Sequence, residues 1–325
     1  MMSKFCFEAL DKKMRDLMRF KYDQNRKLPF GGKTIVFSGD FRQILPVIPK
    51  RTRQNIVNAC LNSSYLWQHC EILKLTVNMR LQCMTTDTPA EDLKQFAEWI
   101  LQVGNGTSEG TCDGCNMINI PPELLITNYN DPIQAMIEAI YSDYIADIAN
   151  ESYLKSRAIL VPTIHVVDEV NDYMTAMNNN QCRTYVSSNK SLSEGATLRC
   201  SELPNHELKL KVSCPVMLIR NIDHSSRLCN GTRMTFTPSN VRIPFRFQMR
   251  QFSVMLSYAM TINKSQGQSL DHVRLLLEKP VFTHGQLYVA ISRVTNKKDL
   301  KILIAHDENT SNIENIVYPK VFRNI

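Results

Sequence analysis

Apolar positions along the chain recur with two different periods, and the alternation of those periods predicts an α/β fold. Cys6, Leu10, Met14 and Leu17 follow one another at helical spacing, which predicts an amphipathic helix over 3–22. Pro29-Phe30-Gly31-Gly32 breaks it. Thr34-Ile35-Val36-Phe37 then runs like a strand buried on both faces, and residues 72–75 form a second short strand candidate. Thr88-Pro89-Ala90-Glu91 reads as a capping box with proline at the first helical position. Leu93, Phe96, Ala97, Ile100 and Leu101 give that helix one apolar face, and Gly104-Asn105-Gly106 stops it. Asp131-Pro132 starts another helix, expected to run to about residue 148. Ala158-Ile159-Leu160-Val161 follows as a strand, and Val166, Val167, Val170 and Met174 mark the helix after it.

From about 180 to 250 the pattern becomes β-like and irregular, with strands expected at Val216-Met217-Leu218-Ile219 and Phe252-Ser253-Val254-Met255-Leu256. The α/β order then returns, with Leu275-Leu276-Leu277 as a strand, 284–293 as a helix and Leu300-Lys301-Ile302-Leu303-Ile304 as a closing strand. Strands joined through helices pair in parallel. The pattern therefore predicts two α/β units with a boundary near 82–90.

Composition narrows the class. The 325 residues are 43% hydrophobic and 21% charged, as in soluble globular proteins. Lys+Arg at 38 against Asp+Glu at 31 gives +7, which permits a nucleic-acid partner without demanding one. No apolar run approaches the ~20 residues of a membrane span. Met1-Met2-Ser3-Lys4-Phe5 lacks the apolar core of a secretory signal, so the cysteines are read as reduced thiols of an intracellular protein. Cys112-Asp113-Gly114-Cys115 has metal-ligand spacing, yet no second pair completes a four-ligand zinc site. No metal ligand is assigned, and His272 and His284 are read as structural.

Ligands of open α/β sheets bind beyond the carboxyl ends of the strands. Gly39-Asp40-Phe41-Arg42-Gln43 follows the 34–37 strand, and Gln43 there suits an amide placed near a phosphate or its attacking water; the bland alternative is a polar turn. Arg80, after the 72–75 strand, offers a bidentate fork to phosphate oxygens or is a surface arginine. Arg293 ends the 284–293 helix. It is either a cation favoured at a helix C-terminus or a finger that stabilises transition-state charge on a γ-phosphate. In Thr261-Ile262-Asn263-Lys264-Ser265-Gln266-Gly267-Gln268-Ser269, ammonium, hydroxyl and amide donors surround a glycine that lets backbone approach a ligand. Such donors suit phosphodiester contacts, with a polar loop as the alternative.

Taken in order, these motifs resemble a known family. From Met1 to about residue 305 the chain is similar to the petite integration frequency (PIF) family of superfamily-one ATP-dependent DNA helicases, in the branch found within Helitron transposons. The stretch from Pro29-Phe30-Gly31-Gly32 through Gln43-Ile44-Leu45-Pro46-Val47 resembles the family's third motif, and the helix at 5–22 resembles the signature region before it. Leu75-Thr76-Val77-Asn78-Met79-Arg80 resembles the next motif, and Asn230-Gly231-Thr232-Arg233 the Asn-Gly turn of the second motor domain. The 261–269 and 284–294 stretches resemble the last two motifs.

The resemblance implies an α/β fold of two RecA-like domains. Residues 1–85 would be the C-terminal part of the first, and 86–325 the second, with a small β-rich insertion at about 195–250. It implies ATP and Mg²⁺ as cofactors, single-stranded DNA as partner, 5′-to-3′ unwinding, and roles in telomere maintenance, repair and recombination. A nuclear location follows from DNA as the partner. Gln43 would sense the γ-phosphate, Arg80 would contact it and Arg293 would be the finger. Gly39, Asp40 and Gly267 would lie at the nucleotide, and Thr261, Lys264, Ser265 and Gln266 on the DNA side.

Gly32-Lys33-Thr34 matches the P-loop triplet, but it enters a predicted strand, whereas a P-loop lysine opens a helix after a strand. Neither another P-loop nor an Asp-Glu metal pair precedes Gly39. The chain is therefore expected to begin just past the family's second motif, as an N-terminally truncated fragment with an unpaired sheet edge and little nucleotide affinity or charge stabilisation. Two functional classes stay open: a DNA helicase, or a non-catalytic single-stranded DNA-binding remnant or inert transposon relic.

Overall fold

A computed structural model of the chain describes residues 1–79, 89–107, 115–186, 207–236, 253–306 and 310–323. Two compact units emerge. One comprises Met1–Ile118, Val281–Val289 and Asn312–Ile325, the other Asn119–Pro280 and Ala290–Ser311. The division falls after residue 118 rather than near 82–90.

In the first unit, helix α1 spans Lys4–Met18. Its inward side is not the expected stripe: Cys6 is exposed, and Leu10 and Leu17 are 44% and 57% exposed. The one fully buried residue of α1 is Asp11. Its carboxylate accepts from the Phe30 N–H at 2.6 Å, the Tyr65 hydroxyl at 2.6 Å and the Arg15 guanidinium at 2.9 Å. The Pro29–Gly32 turn creates this demand. It passes through left-handed backbone at Phe30 and Gly31, leaving the Phe30 N–H to a side chain. A polar anchor thus overrides the apolar stripe, because an unmade buried hydrogen bond costs more than an exposed leucine.

Asp11→Ala is expected to cost about 2–4 kcal/mol. Burial alone would raise the Asp11 pKa, but hydrogen bonds from Tyr65 and Phe30 and the Arg15 guanidinium outweigh it and hold the carboxyl below 3.8. A depressed carboxylate stabilises the fold above its unfolded pKa and loses that contribution as pH falls through the folded one. Urea midpoints at pH 7 and pH 3 test both points. A wild-type-to-variant gap of the same size at both pH values would remove Asp11 as the anchor.

The runs at 34–37 and 72–75 form no strand. The backbone of 34–37 makes no hydrogen bond among the described residues. Val36 is 88% exposed, Leu73 83% and Leu75 fully. Such runs are composed for burial on both faces of a sheet, and no described strand flanks them. Helix α2 (Arg53–Asn58) starts on Thr52, whose side chain accepts from the Asn55 N–H. Around it lies a small core of Leu45, Val57, Cys60, Tyr318 and Val321. Helix α3 (Ala90–Asn105) begins after Pro89, while Thr88 of the expected capping box lies outside the described residues. It buries Leu93, Phe96, Ile100 and Val103 but leaves Leu101 exposed. Strand β1 (Cys115–Asn119) pairs with a strand at Asn312–Ile316, a partnership the sequence pattern did not suggest.

In the second unit, α4 (Pro132–Ile140) is capped by Asp131, which accepts from the Ile133 and Gln134 N–H groups. It ends at Ile140, not near 148. Beyond it, Tyr141 and Tyr144 turn into the core against Tyr258. The Tyr141 hydroxyl donates to the Arg157 and Tyr258 carbonyls, and the Tyr144 and Tyr258 hydroxyls lie 2.7 Å apart. Helix α5 (Glu151–Lys155), β2 (Arg157–Val161) and α6 (Ile164–Met177) follow. Val166, Val167, Val170 and Met174 of α6 are all buried, as their spacing predicted.

Antiparallel strands occupy the next region: β3 (Cys182–Val186) with β4 (Glu207–Lys211), and β5 (Pro215–Leu218) between β6 (Arg233–Thr235) and β7 (Val254–Leu256). The segments 187–206 and 237–252, within or beside the expected insertion, lie outside the described residues. The chain then re-enters the main sheet with β8 (Ala259–Thr261) and β9 (His272–Leu277). Strand β10 (Leu300–Ile304) completes the sheet, while most of helix α7 (Gln286–Ile291) and β11 (Asn312–Ile316), the partner of β1, belong to the first unit. The sheet is parallel in the order β10-β9-β2-β8. Its middle is wholly apolar and buried, with Ile159, Leu160, Val161, Leu275 and Leu276 inaccessible.

Candidate functional site

Gly39, Asp40 and Gln43 lie in the first unit. Asp40 and Gln43 form a tight turn, the Gln43 N–H donating to the Asp40 carbonyl at 3.1 Å. The Asp40 carboxylate accepts from the Arg42 N–H at 3.0 Å and the Tyr288 hydroxyl at 2.9 Å, and the Arg42 guanidinium lies 3.5 Å away. Asp40 therefore shapes the turn that carries Gln43. Gly39 is exposed, and a Cβ placed on it would meet nothing within 4 Å. Arg80 lies outside the described residues.

The 284–288 stretch braces this turn within the same unit. His284 is 1% exposed and receives the Tyr318 N–H on Nδ1 at 2.8 Å. Nε2 must then carry the proton and donate to the Phe41 carbonyl at 2.8 Å. Burial pushes the His284 pKa down to about 4, against a weaker opposing pull from the Phe41 carbonyl and Asp40. The imidazole is neutral at pH 7 and structural, as its sequence context suggested. Gly285 sits against the Arg42 carbonyl. Tyr288, which lay within a motif but received no role, closes the brace on Asp40.

Thr261, Lys264, Ser265, Gln266, Gly267 and Arg293 lie in the second unit. The loop leaves β8, makes one 3-10 turn over Ile262–Ser265, and reverses at Gly267, whose φ is +82°. Lys264 and Gln266 are partly exposed and Gly267 is open, with nothing within 4 Å of a Cβ. Thr261 and Ser265 are buried instead, at 5% and 0%. The Ser265 hydroxyl is spent on the Ile262 carbonyl at 2.7 Å. Ser265 thus sets the loop's shape, the Thr261 hydroxyl is buried without a hydrogen-bond partner, and Lys264 and Gln266 are the half-buried donors of the set.

Arg293 is also buried, at 6% exposure. Helix α7 ends at Ile291, two residues earlier than the pattern suggested, so Arg293 lies beyond it. Its Nη1 donates to the Ser265 and Gln268 carbonyls at 3.2 and 3.0 Å, and Nη2 to the Ser292 hydroxyl at 2.9 Å. The arginine thus holds the 261–269 loop from beneath. The sequence named Arg233 only as the end of the Asn-Gly turn; its guanidinium is engaged entirely by backbone carbonyls apart from one contact to the Ser257 hydroxyl.

Gly32-Lys33-Thr34 leaves its turn in extended backbone, with Lys33 at φ −93° and ψ 138°, so it does not open a helix. Among the described residues no group of three His, Cys, Asp or Glu side chains converges to hold a metal ion, and they do not fit a Mg²⁺ site. Cys112 lies outside them. No helix among them is long and apolar enough to cross a membrane.

Known proteins resemble this chain in sequence and fold. The family model for PIF1-like helicase matches residues 1–113, and that for the DNA helicase Pif1 2B domain matches 195–238, the β-rich region. The ATP-dependent DNA helicase PIF1 of Danio rerio is 27% identical over 304 residues, covering 85% of this chain and 41% of that protein. Its Xenopus laevis counterpart is 27% identical over 316 residues, covering 85% and 41%. The chain spans about two fifths of the length of these curated relatives. The Pif1 helicase of Candida albicans superposes with a TM-score of 0.59 at 18% identity, over 98% of this chain and 73% of that one. Bacteroides Pif1 bound to single-stranded DNA gives 0.58 at 19%, over 93% and 68%. These two likenesses establish the RecA-like α/β fold. The chain is thus similar to the PIF1-like helicase family over residues 1–113 and to the Pif1 2B domain over 195–238.

Proposed function

We propose that these residues supply the nucleotide-sensing and DNA-contacting parts of a superfamily-one motor that couples ATP hydrolysis to 5′-to-3′ movement on single-stranded DNA. The observation that carries this reading is the 261–269 loop, which offers Lys264, Gln266 and the Gly267 backbone outward while Arg293 fixes it from within. Lys264 and Gln266 contact phosphodiesters; Ser265 shapes the loop that presents them. Gln43, on its braced turn with Gly39 and Asp40, orients the attacking water. Arg80 contacts the γ-phosphate, and Gly267 brings its backbone to the nucleotide. Arg293 acts as the finger by trading the Ser265 and Gln268 carbonyls for phosphate oxygens, an exchange driven by the greater strength of charge-assisted hydrogen bonds. The complexes of Bacteroides Pif1 with single-stranded DNA and with ADP-AlF3 support this pair of ligands. DNA as partner makes the nucleus the place of action.

The 325 residues alone bind DNA without turning over ATP. This second reading rests on Gly32-Lys33-Thr34, which leaves its turn in extended backbone instead of opening a phosphate-binding helix. Oligo(dT) affinity should fall steeply with salt, with a log–log slope of about −0.7 per contacted phosphate. Lys264→Ala should reduce that slope by about one contact. ATP hydrolysis should be absent with or without DNA. Salt-independent affinity would sink the DNA reading. DNA-stimulated turnover that Arg293→Ala abolishes would sink the non-catalytic one.

A further inference from the structure

Gln268 touches three parts of the second unit at once. Its Nε2 donates to the Gly231 carbonyl at 3.3 Å and the Lys264 carbonyl at 3.1 Å, and lies 3.4 Å from the Met217 sulfur. Its own N–H donates to the Ser265 carbonyl at 3.0 Å. Its carbonyl accepts from Arg293 Nη1 at 3.0 Å. The side chain is therefore bonded to the Asn230-Gly231 turn that precedes β6, while the main chain of the same residue is bonded to the arginine. The turn is itself tied to β5, because the Gly231 N–H donates to the Leu218 carbonyl at 2.8 Å. Between Leu218 and Arg293 the links are hydrogen bonds of 2.8, 3.3 and 3.0 Å, the middle one at the long end of the range.

The amide is also under-satisfied. Gln268 Oε1 is buried and has no hydrogen-bond partner. A buried amide oxygen left unpaired costs free energy that a leucine would avoid. Gln268 is held for what its Nε2 reaches, and both carbonyls it reaches belong to chain reversals.

We propose that Gln268 is a positioning residue that couples the antiparallel β5–β6 module to Arg293. A displacement of the Asn230-Gly231 turn pulls the Gln268 side chain, and the Gln268 carbonyl carries that displacement to the guanidinium. The inference rests on the reading of 261–269 as the DNA-side loop, since that reading gives the coupling its purpose. A strand of DNA pressing on the β-rich module would then be felt at Arg293.

The test is a double-mutant cycle in the DNA-free 325-residue chain, read by hydrogen exchange. Gly231 has a φ of +91°, so Gly231→Ala strains the turn without touching the arginine. In the wild-type background this change should speed exchange of the 264–270 and 292–295 amides about tenfold. In a Gln268→Leu background it should leave the 292–295 amides unchanged. A purely local, space-filling role for Gln268 predicts additive effects at 292–295, and additivity would overturn the coupling. The cycle measures the coupling whether or not DNA binds. Oligo(dT) titration of the wild type is run beside it, and failure to bind there overturns only the DNA reading.

Discussion

Arg233→Met is expected to destabilise the second unit by about 3–5 kcal/mol, enough to unfold many domains. The buried guanidinium donates to the carbonyls of Lys155 at 2.6 Å, Ser257 at 2.7 Å, Arg157 at 2.9 Å and Leu154 at 3.2 Å. Leu154 and Lys155 are the last residues of α5, whose terminal carbonyls have no partner within the helix. Arg157 opens β2, and Ser257 lies two residues before β8. One side chain thus satisfies a helix end and pins the starts of two adjacent strands of the parallel sheet. Methionine keeps the length and removes every donor, depriving the Leu154, Lys155 and Ser257 carbonyls of the arginine and leaving the Arg157 carbonyl only the Tyr141 hydroxyl. Arg233→Lys should recover only part of the loss, because an ammonium cannot span carbonyls that a planar fork reaches in several directions. Urea unfolding and exchange of the β2 amides measure the effect. Slow wild-type exchange in β2 of the methionine variant would show that the carbonyls are satisfied without the arginine.

Arg233 also marks the limit of what could be read from the sequence. The strands β2, β9 and β10 and the helix α6 were legible, because their residues are buried in the pattern their periods dictate. The runs at 34–37 and 72–75 carry the same signal, yet 72–75 is exposed throughout and 34–37 buries only part of Ile35 and Phe37, the latter against Phe7 and Phe30. Apolar periodicity records how a segment is suited to be buried, not whether a neighbour lies beside it. The α1 stripe misled for a related reason. Its inward face is set by Asp11, whose partner Tyr65 is 54 residues away, and no local spacing encodes that contact.

Of the candidate site, the sequence placed Gly39, Gln43, Lys264, Gln266 and Gly267 on turns with open faces. It did not foresee that Ser265 and Arg293 would face each other inside the loop. Donor chemistry is visible in a sequence, but the acceptor that consumes it is not. Tyr288 and Gln268 lay within motifs but received no role, because their partners, Asp40 and Gly231, are brought to them only by the fold. The His284-Gly285 pair was visible as a motif, and its physical meaning came from the backbone that it meets.

That backbone gives the second large expected effect. A Cβ on Gly285 would lie 2.1 Å from the Arg42 carbonyl oxygen and 2.9 Å from the Gln43 carbonyl carbon, and neither is a flexible side-chain end. The residue also sits at φ +71°, which costs an L side chain about 1 kcal/mol before any collision. Gly285→Ala must therefore part the 284–285 and 42–43 segments. Parting them strains the His284–Phe41 bond, the Tyr318–His284 bond and the Gly285 N–H bond to Ile316 at 3.0 Å. A loss above about 4 kcal/mol is expected, in the range reserved for backbone collisions and broken buried networks.

Acid attacks the same joint by a different route. The His284 pKa is about 4 in the fold against an ordinary 6.5, so the unfolded chain binds the proton more readily. The joint's contribution is complete above pH 6.5 and is lost progressively as pH falls towards 4. This window lies above the one in which Asp11 titrates, so the two anchors can be separated. Wild-type urea midpoints should decline between pH 7 and pH 5. In Gly285→Ala, where the joint is already open and His284 is nearer its ordinary pKa, most of that decline should vanish. A variant that follows the wild-type pH curve with a small constant offset would mean that Gly285 does not hold this joint, and that the Gln43 turn is braced by Tyr288 alone.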